Sequence, residues 1–282
     1  MKFHLDTAEI YIPDNEAVEK ALARTTHLCF AAHQDDIEIM AARPIIECFQ
    51  QKDKWFTGVV VTDGRGSPRN NLYENYTDDE MRLVRFKEQR KAAIVGEYSA
   101  QVMLDYPSKI TKEVARLEPV DDIVEILRVT QPQIVYTHNL ADKHDTHVAV
   151  ALKVVNAIRR LDQAERPARL VGCEVWRALD WMSDSDKFTM DVSGHENLQS
   201  ALLGVFDSQI VGGKRYDLAS MGRRRANATY FQSHGVDETT GLSFGMDMTS
   251  LITRTSIEPQ EFVTALIQNF SQDVSDRFRR IG

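Results

Sequence analysis

The chain reads as an α/β protein, a Rossmann-like three-layer α/β/α sandwich with a mainly parallel sheet. Short apolar, β-rich runs alternate with amphipathic helical stretches from residue 27 to residue 161, which is the pattern of strand-helix units wound about a parallel sheet. The runs end in polar residues. Loops at the carboxyl edge of such a sheet are where open α/β folds place their ligands.

Residues 1–25 form a leading arm and a short helix over Glu16 to Arg24. A strand at about 27–32 follows, then a helix from Glu38 to Gln50 in which Pro44 predicts a kink or an early break near Arg43. Trp55 to Thr62 is the next strand and ends in Asp63-Gly64-Arg65-Gly66; Ser67 to Thr77 is a polar loop long enough to lie over a site. Apolar residues spaced on a charged background predict a helix from Asp78 that Gly96 stops. Gln101 to Tyr106 is a weaker strand, Pro119 to Val129 a helix, Ile134 to Thr137 a strand, and Val148 to Leu161 a helix. Beyond them Leu170 to Trp176 is apolar, Phe188 to Val192 alternates as a strand, Glu196 to Phe206 is helical, and a helix runs from the Gly212-Gly213 turn to about Tyr230. Phe231 to Met248 reads as a flap or a subunit-contact loop, Met248 to Ile252 as a strand, and Pro259 to Phe270 as a terminal helix. All 282 residues are expected to form a single domain, with a core at about 26–216 and a flap, strand and helix region at about 217–282.

Composition excludes several classes of function. A formal charge of -8, from 42 acidic and 34 basic side chains, offers no general basic surface to nucleic acid. No apolar run has membrane-spanning length and the first residues carry no secretory core, so a reducing cytoplasm is the expected compartment. The three cysteines lack paired spacing; Cys29 and Cys173, in apolar runs, are expected to be buried thiols.

Chemistry concentrates at two strand ends. The first is His33-Gln34-Asp35-Asp36, where imidazole and adjacent carboxylates at a junction without glycine suggest a metal site, although Asp35 or Asp36 could equally cap a helix. The second runs from His138 to His147 and contains Asp142, His144 and Asp145; His144 and His147 share a face if the helix begins near His144. Zinc hydrolases commonly use three protein ligands and leave a fourth position for water, and His33, Asp36 and His147 could supply them.

These two segments resemble the signature of the LmbE-like or PIG-L-like N-acetylglucosaminyl deacetylases. The first motif of that family is a strand ending in Ala-His-Pro-Asp-Asp; it appears here as Ala32-His33-Gln34-Asp35-Asp36 with Glu38. The second, Thr-His and then Asp-x-His-x-Asp-His, appears as Thr137-His138 and Asp142-Lys143-His144-Asp145-Thr146-His147. Weaker echoes are Thr62-Asp63-Gly64 with Gly66, Arg85-x-x-Glu88, Asp191-Val192-Ser193 and Ser208-Gln209, so the likeness covers roughly residues 26–216. The resemblance implies one Zn²⁺ per chain on His33, Asp36 and His147. It also implies Asp35 as general base, and His144 as the group that steadies the oxyanion or protonates the departing amine.

The chain departs from the pattern in places. Gln34 replaces a Pro, Ala41-Ala42 stand where glycines are common, and Phe206 stands where a His often precedes Ser-Gln. Thr146 replaces the Asp before the last ligand, so Asp142, rather than Asp145, is expected to hold His144 protonated.

For substrate contact the candidates are Arg65 first, with Asp63 and Arg69 in the same loop, then Trp176 and His234. Trp176, with Glu174 and Trp181, could wall a pocket or belong to the core or an oligomer contact, and Arg223-Arg224-Arg225 reads as a solvated or intersubunit face. The expected function is zinc-dependent removal of acetyl from an N-acetylated amino sugar or glycoconjugate, with no nucleic-acid partner and no membrane span; a homo-oligomer is compatible with it. Hydrolysis of another small amide or a sugar carbamoyl group is the alternative within catalysis, and a non-catalytic sugar-binding or scaffolding protein the alternative outside it.

Overall fold

The computed structural model describes residues 1–282. Eight strands make one sheet: β1 (Glu9–Tyr11), β2 (His27–Ala31), β3 (Phe56–Thr62), β4 (Ala100–Tyr106), β5 (Ile134–His138), β6 (Arg169–Cys173), β7 (Lys187–Asp191) and β8 (Leu242–Asp247), in the spatial order β1-β4-β3-β2-β5-β6-β8-β7. The five central strands, β4-β3-β2-β5-β6, are parallel, and β1, β8 and β7 pair antiparallel at the edges. The predicted sandwich is the observed one.

Alternation along β2 explains the layers. Successive side chains of a strand point to opposite faces, so Leu28 and Phe30 join the helices Glu118–Thr130 and Asp145–Arg159 in one core. Cys29 and Ala31 join residues of Asp36–Cys48, Asp78–Val95 and Glu196–Gly204 in the other. β3 and β4 are buried along their whole length, as strands covered on both faces must be.

The sheet also fixes where a ligand can sit. From β2 the chain winds through β3 to β4 on one side, whereas β5 and β6 add on the other. The carboxyl ends of neighbouring β2 and β5 therefore flank a switch point, where departing loops diverge and leave a crevice. The His33 and His138 segments leave the sheet there.

Several elements differ from expectation. The helix expected over Glu38 to Gln50 is two, Asp36–Met40 and Ala42–Cys48, broken at Ala41. Pro44 is the cause, because its ring would meet the carbonyl four residues back, at Met40. The three-residue β1, in the segment expected to be an arm, is too short to carry a periodic signal. Met248 to Ile252 is not a strand: the strand is β8, and Thr249–Thr253 is helical. Gly245 made β8 look like loop, yet it is needed there, since a Cβ would come within 2.8 Å of a Val171 methyl on β6. The flap thereby shrinks to residues 231–241. The last helix runs from Pro259 to Ile281, well past Phe270, and carries Asp273–Arg277 and Asp276–Arg279 pairs on its added turns.

The arginine run is not a solvated face. Arg224 is buried and donates to the Glu38 carbonyl at 2.8 Å, the Ile39 carbonyl at 3.0 Å and Gln199 Oε1 at 2.8 Å, so it closes the end of the Asp36–Met40 helix. Arg225 alone is exposed, beside Glu196. All three cysteines are buried and unpaired, and no helix is long and apolar enough to cross a membrane.

Candidate active site

Beyond β2 the chain turns sharply, and the turn is tied on every side. The Ala32 N–H donates to His138 Nε2 at 2.8 Å, Thr62 Oγ1 to the Ala32 carbonyl at 2.7 Å, and Gln34 Nε2 to the Thr62 carbonyl at 3.0 Å. Gln34 thus replaces the rigidity of a proline by a bond to β3. Its amide oxygen lies 2.4 Å from where a Cβ on Gly64 would be, and Gly64 has φ +72°, so this residue must be glycine. Asp35 itself holds φ 94°, a strained value for a side chain of this kind and a mark of an imposed geometry.

Three donor atoms converge below the turn. Asp36 Oδ2 lies 3.2 Å from His33 Nδ1 and 3.3 Å from His147 Nε2, and the two nitrogens are 3.2 Å apart. Ligand atoms at about 2.0–2.1 Å from one tetrahedral zinc lie about 3.3 Å from each other. The triangle is therefore of the right size for such an ion. Its electrostatics agree: burial would raise the Asp36 carboxyl, but the charge of His147 first, and then the bonds from His147 and His33, hold it well below the usual range. Burial opposes a proton on His147, yet Asp36 and Asp142 lift it to about 9. Two ionised carboxylates about one buried imidazole make a place that calls for positive charge.

Asp142 is where the structure corrects the sequence. Its Oδ2 meets His147 Nδ1 at 3.1 Å, and its oxygens also accept the N–H groups of Lys143 (2.6 Å), Arg177 (3.1 Å) and Trp176 (3.3 Å). It supports His147, not His144. The helix begins at Asp145, so His147 lies in its first turn and reaches back over the 139–144 loop, while Asp145 is exposed. His144 precedes the helix in extended conformation, and its buried Nδ1 has no partner at all. Burial, then the nearby His33 and His147, lower its pKa, so His144 is a neutral imidazole rather than a held cation. Asp142→Asn should accordingly weaken metal binding by about 10- to 100-fold, the usual effect of losing such an outer partner, and Asp145→Asn should leave it unchanged; zinc titration with a competing chelator reads both.

Asp35 stands beside the triangle. Its Oδ2 is 3.1 Å from Arg85 Nη2, and Arg85 is a fully buried hub that also bonds the Gln34 carbonyl, Glu88 Oε2 (3.2 Å) and Ser208 Oγ (3.3 Å). Glu88 in turn accepts the Ser208 N–H and hydroxyl, each at 2.7 Å. Burial pushes Asp35 up to about 7, with Arg85 opposing and Asp36 adding to it. Arg85, Glu88 and Ser208 matched the family pattern in the sequence, but only the structure shows their role of fixing Asp35.

A cavity of about 640 Å³ opens above these groups and is lined by His33, Asp35, Asp36, His144, Thr146, Trp176, Tyr216 and Arg223, among others. Trp176 faces it, stacked at 6.4 Å on His144 and edge-on at 5.9 Å to Tyr216. The other expected substrate contacts do not line it. Asp63 is buried and bonds the Arg65 N–H, Arg65 is paired with Asp63 and Asp79, and Arg69 with Asp78. These pairs fasten the 63–69 loop to the start of the Asp78–Val95 helix and leave Gly64 and Gly66 on the cavity wall. His234 is exposed in the 231–241 loop and does not line the cavity. Sequence reading gave no role to His138, a buried neutral imidazole stacked at 3.8 Å on His147, nor to Tyr216, Lys214 or Arg223.

Fold and donor set together define a Rossmann-like α/β domain with a cluster able to hold a metal ion at its switch point. Residues 28–158 match the PIG-L family model, described as GlcNAc-PI de-N-acetylase, and the chain thus carries a domain of the PIG-L (LmbE-like) family. Among solved structures it resembles the N,N'-diacetylchitobiose deacetylase of Pyrococcus horikoshii, at TM-score 0.58 and 16% identity over 82% of this chain and 88% of that one. A deacetylase of the teicoplanin biosynthesis pathway is similar at TM-score 0.55 and 14% identity, over 79% and 98%. So is GalB, the 4-carboxy-2-hydroxymuconate hydratase of Pseudomonas putida, at TM-score 0.59 and 13% identity over 79% and 95%. At these identities the likeness is one of fold. Among curated proteins no sequence matches this chain.

Proposed function

We propose that the protein is a zinc-dependent deacetylase that hydrolyses the acetamide of an N-acetylated amino sugar or a glycoconjugate bearing one. The observation that carries the reading is the His33, Asp36 and His147 triangle with a buried carboxyl, Asp35, beside it at the floor of a cavity. A zinc ion on those three residues would supply Lewis acidity toward the amide carbonyl and toward water.

The chain's own groups do the rest. Asp35 takes the proton of the attacking water and passes it to the departing amine; burial raises its carboxyl, and a cation held beside it would lower it again and keep it ionised to accept that proton. Arg85, held by Glu88 and Ser208, keeps the Asp35 carboxylate from swinging away. His144 Nδ1 is sealed from solvent without an acceptor, which favours the proton on Nε2, the nitrogen left to donate to the oxyanion. Trp176 offers an apolar face to a sugar ring.

The test is acetate release from a panel of N-acetylated sugars and glycosides, with and without a chelator. Activity abolished by chelation and restored by Zn²⁺ is the expected result. Turnover that survives exhaustive metal removal, or acetate release from none of the panel by the zinc-loaded protein, would overturn it.

A further inference from the structure

The Pro259–Ile281 helix carries an apolar stripe that its own chain leaves bare. Its first turns lie on the body, where Phe262, Val263 and Leu266 pack against the core and Asn269 Nδ2 donates to Asp186 Oδ2 at 2.9 Å. Beyond them Ile267, Phe270, Val274, Phe278 and Ile281 are all exposed, the last two by 74% and 88%. Successive residues of a helix are about 100° apart, so these side chains fall within about 80° of arc and form one stripe about 21 Å long. The stripe is turned roughly 110° from Phe262, Leu266 and Asn269 and so faces sideways rather than onto the body. Contiguous apolar surface of this kind marks an interaction site.

The order of the stripe identifies what covers it. Ile-Phe-Val-Phe-Ile reads the same in both directions, and its spacings of three, four, four and three residues are symmetric about Val274. A two-fold axis at Val274, perpendicular to two antiparallel copies of the helix, therefore sets Val274 on Val274, Phe270 on Phe278 and Ile267 on Ile281. A symmetric dimer needs a patch that complements itself in this way. The eleven residues from Ile267 to Phe278 make three turns, so the stripe stays on one side with little supercoiling.

The charges beside the stripe fit the same axis. Asp273 and Arg277 share one flank and pair at 3.1 Å within the helix. In an antiparallel pair each flank meets its own copy. Asp273 is one residue before the axis and Arg277 three after it, so each Asp273 lies within about 3 Å, along the helix, of the level of the second copy's Arg277, while the two arginines stay about 9 Å apart. The other flank, Gln268, Ser271 and Ser275, is uncharged. A parallel pair would lay the charged flank on the uncharged one and gain no ion pair. A membrane surface suits the stripe less, because helices that lie on one are rich in Lys and Arg on the polar face, whereas here Asp273 and Asp276 offset Arg277 and Arg279.

We propose that the protein forms a symmetric dimer by antiparallel pairing of residues 267–281 with the same residues of a second copy. The pairing is independent of the chemistry in the cavity. A contact of about 21 Å of helix is smaller than a standard interface, so the dimer should dissociate in the micromolar range.

Sedimentation velocity from about 1 to 100 μM should show monomer giving way to a species of twice its mass. V274D and F278D should each weaken the dimer by roughly 30-fold or more, with the far-ultraviolet spectrum and Tm of wild type; F278D, at the more exposed position, guards against a failure of V274D to fold. D273R should weaken it about 10-fold by setting arginines against one another, and D273R/R277D should restore it. Mixed I267C and I281C proteins should form a disulfide-linked dimer on mild oxidation and neither should alone, the three native cysteines being buried. Wild type that stays monomeric at every concentration overturns the pairing, whether or not it sediments with vesicles of anionic lipid. A dimer that survives both V274D and F278D overturns it too, since another surface then makes the contact. I267C protein that cross-links to itself, and not to I281C protein, overturns the antiparallel register.

Discussion

His147→Ala protein is expected to lose its metal and, with it, acetate release. His147 is one of three donors at 3.2–3.3 Å from each other, and it alone is held from behind by a buried carboxylate, Asp142. Removing it takes away a ligand and also leaves Asp142 and Asp36 without the imidazole that offsets their charge. Metal affinity should therefore fall by more than the roughly 10- to 100-fold that loss of an outer partner alone causes. His33→Ala and Asp36→Ala should behave alike, since a site with three protein donors has none to spare. Bound zinc measured after gel filtration, beside a far-ultraviolet spectrum showing the fold intact, is the direct reading. Stoichiometric zinc with unchanged affinity in His147→Ala would remove this residue from the metal site.

Much of this arrangement is legible in the sequence because it follows from strand ends. A strand that closes in His33-Gln34-Asp35-Asp36 and another that closes in His138 must bring those residues together once the strands are neighbours, and β2 and β5 are paired in register. Which partner a side chain chooses is not legible in that way. Asp142 is two residues from His144 and five from His147, and closeness in the chain favoured the wrong histidine. The helix start at Asp145 decided it, by turning His147 back over the loop. Charge runs mislead for a similar reason: Arg223, Arg224 and Arg225 sit on one helix at 100° intervals, so one lines the cavity, one is swallowed by the core and one meets solvent. Arg65 looked available because its partner Asp79 lies beyond a loop whose path the sequence does not show. Polar residues near a site can be read as candidates, but whether they are free depends on pairs made across the fold.

Asp35→Asn separates the proton carrier from the ligand beside it. The change is nearly isosteric, and Asp35 is no part of the donor triangle, so the variant should bind zinc as wild type does while kcat falls by on the order of 10² to 10⁴. An amide can still accept from Arg85 Nη2 through its oxygen, which keeps the side chain in place at the 3.1 Å contact. What it cannot do is take a proton from water and return it to an amine. The backbone at Asp35 has φ 94°, a conformation Asn tolerates as readily as Asp, so the turn that carries His33 and Asp36 should survive. KM should change little, because the loss lies in the transition state rather than in binding. Zinc content, kcat and KM measured on one preparation decide the matter: near-normal turnover would mean that another group carries the proton, and loss of zinc would mean that Asp35, not Asp36, belongs among the ligands.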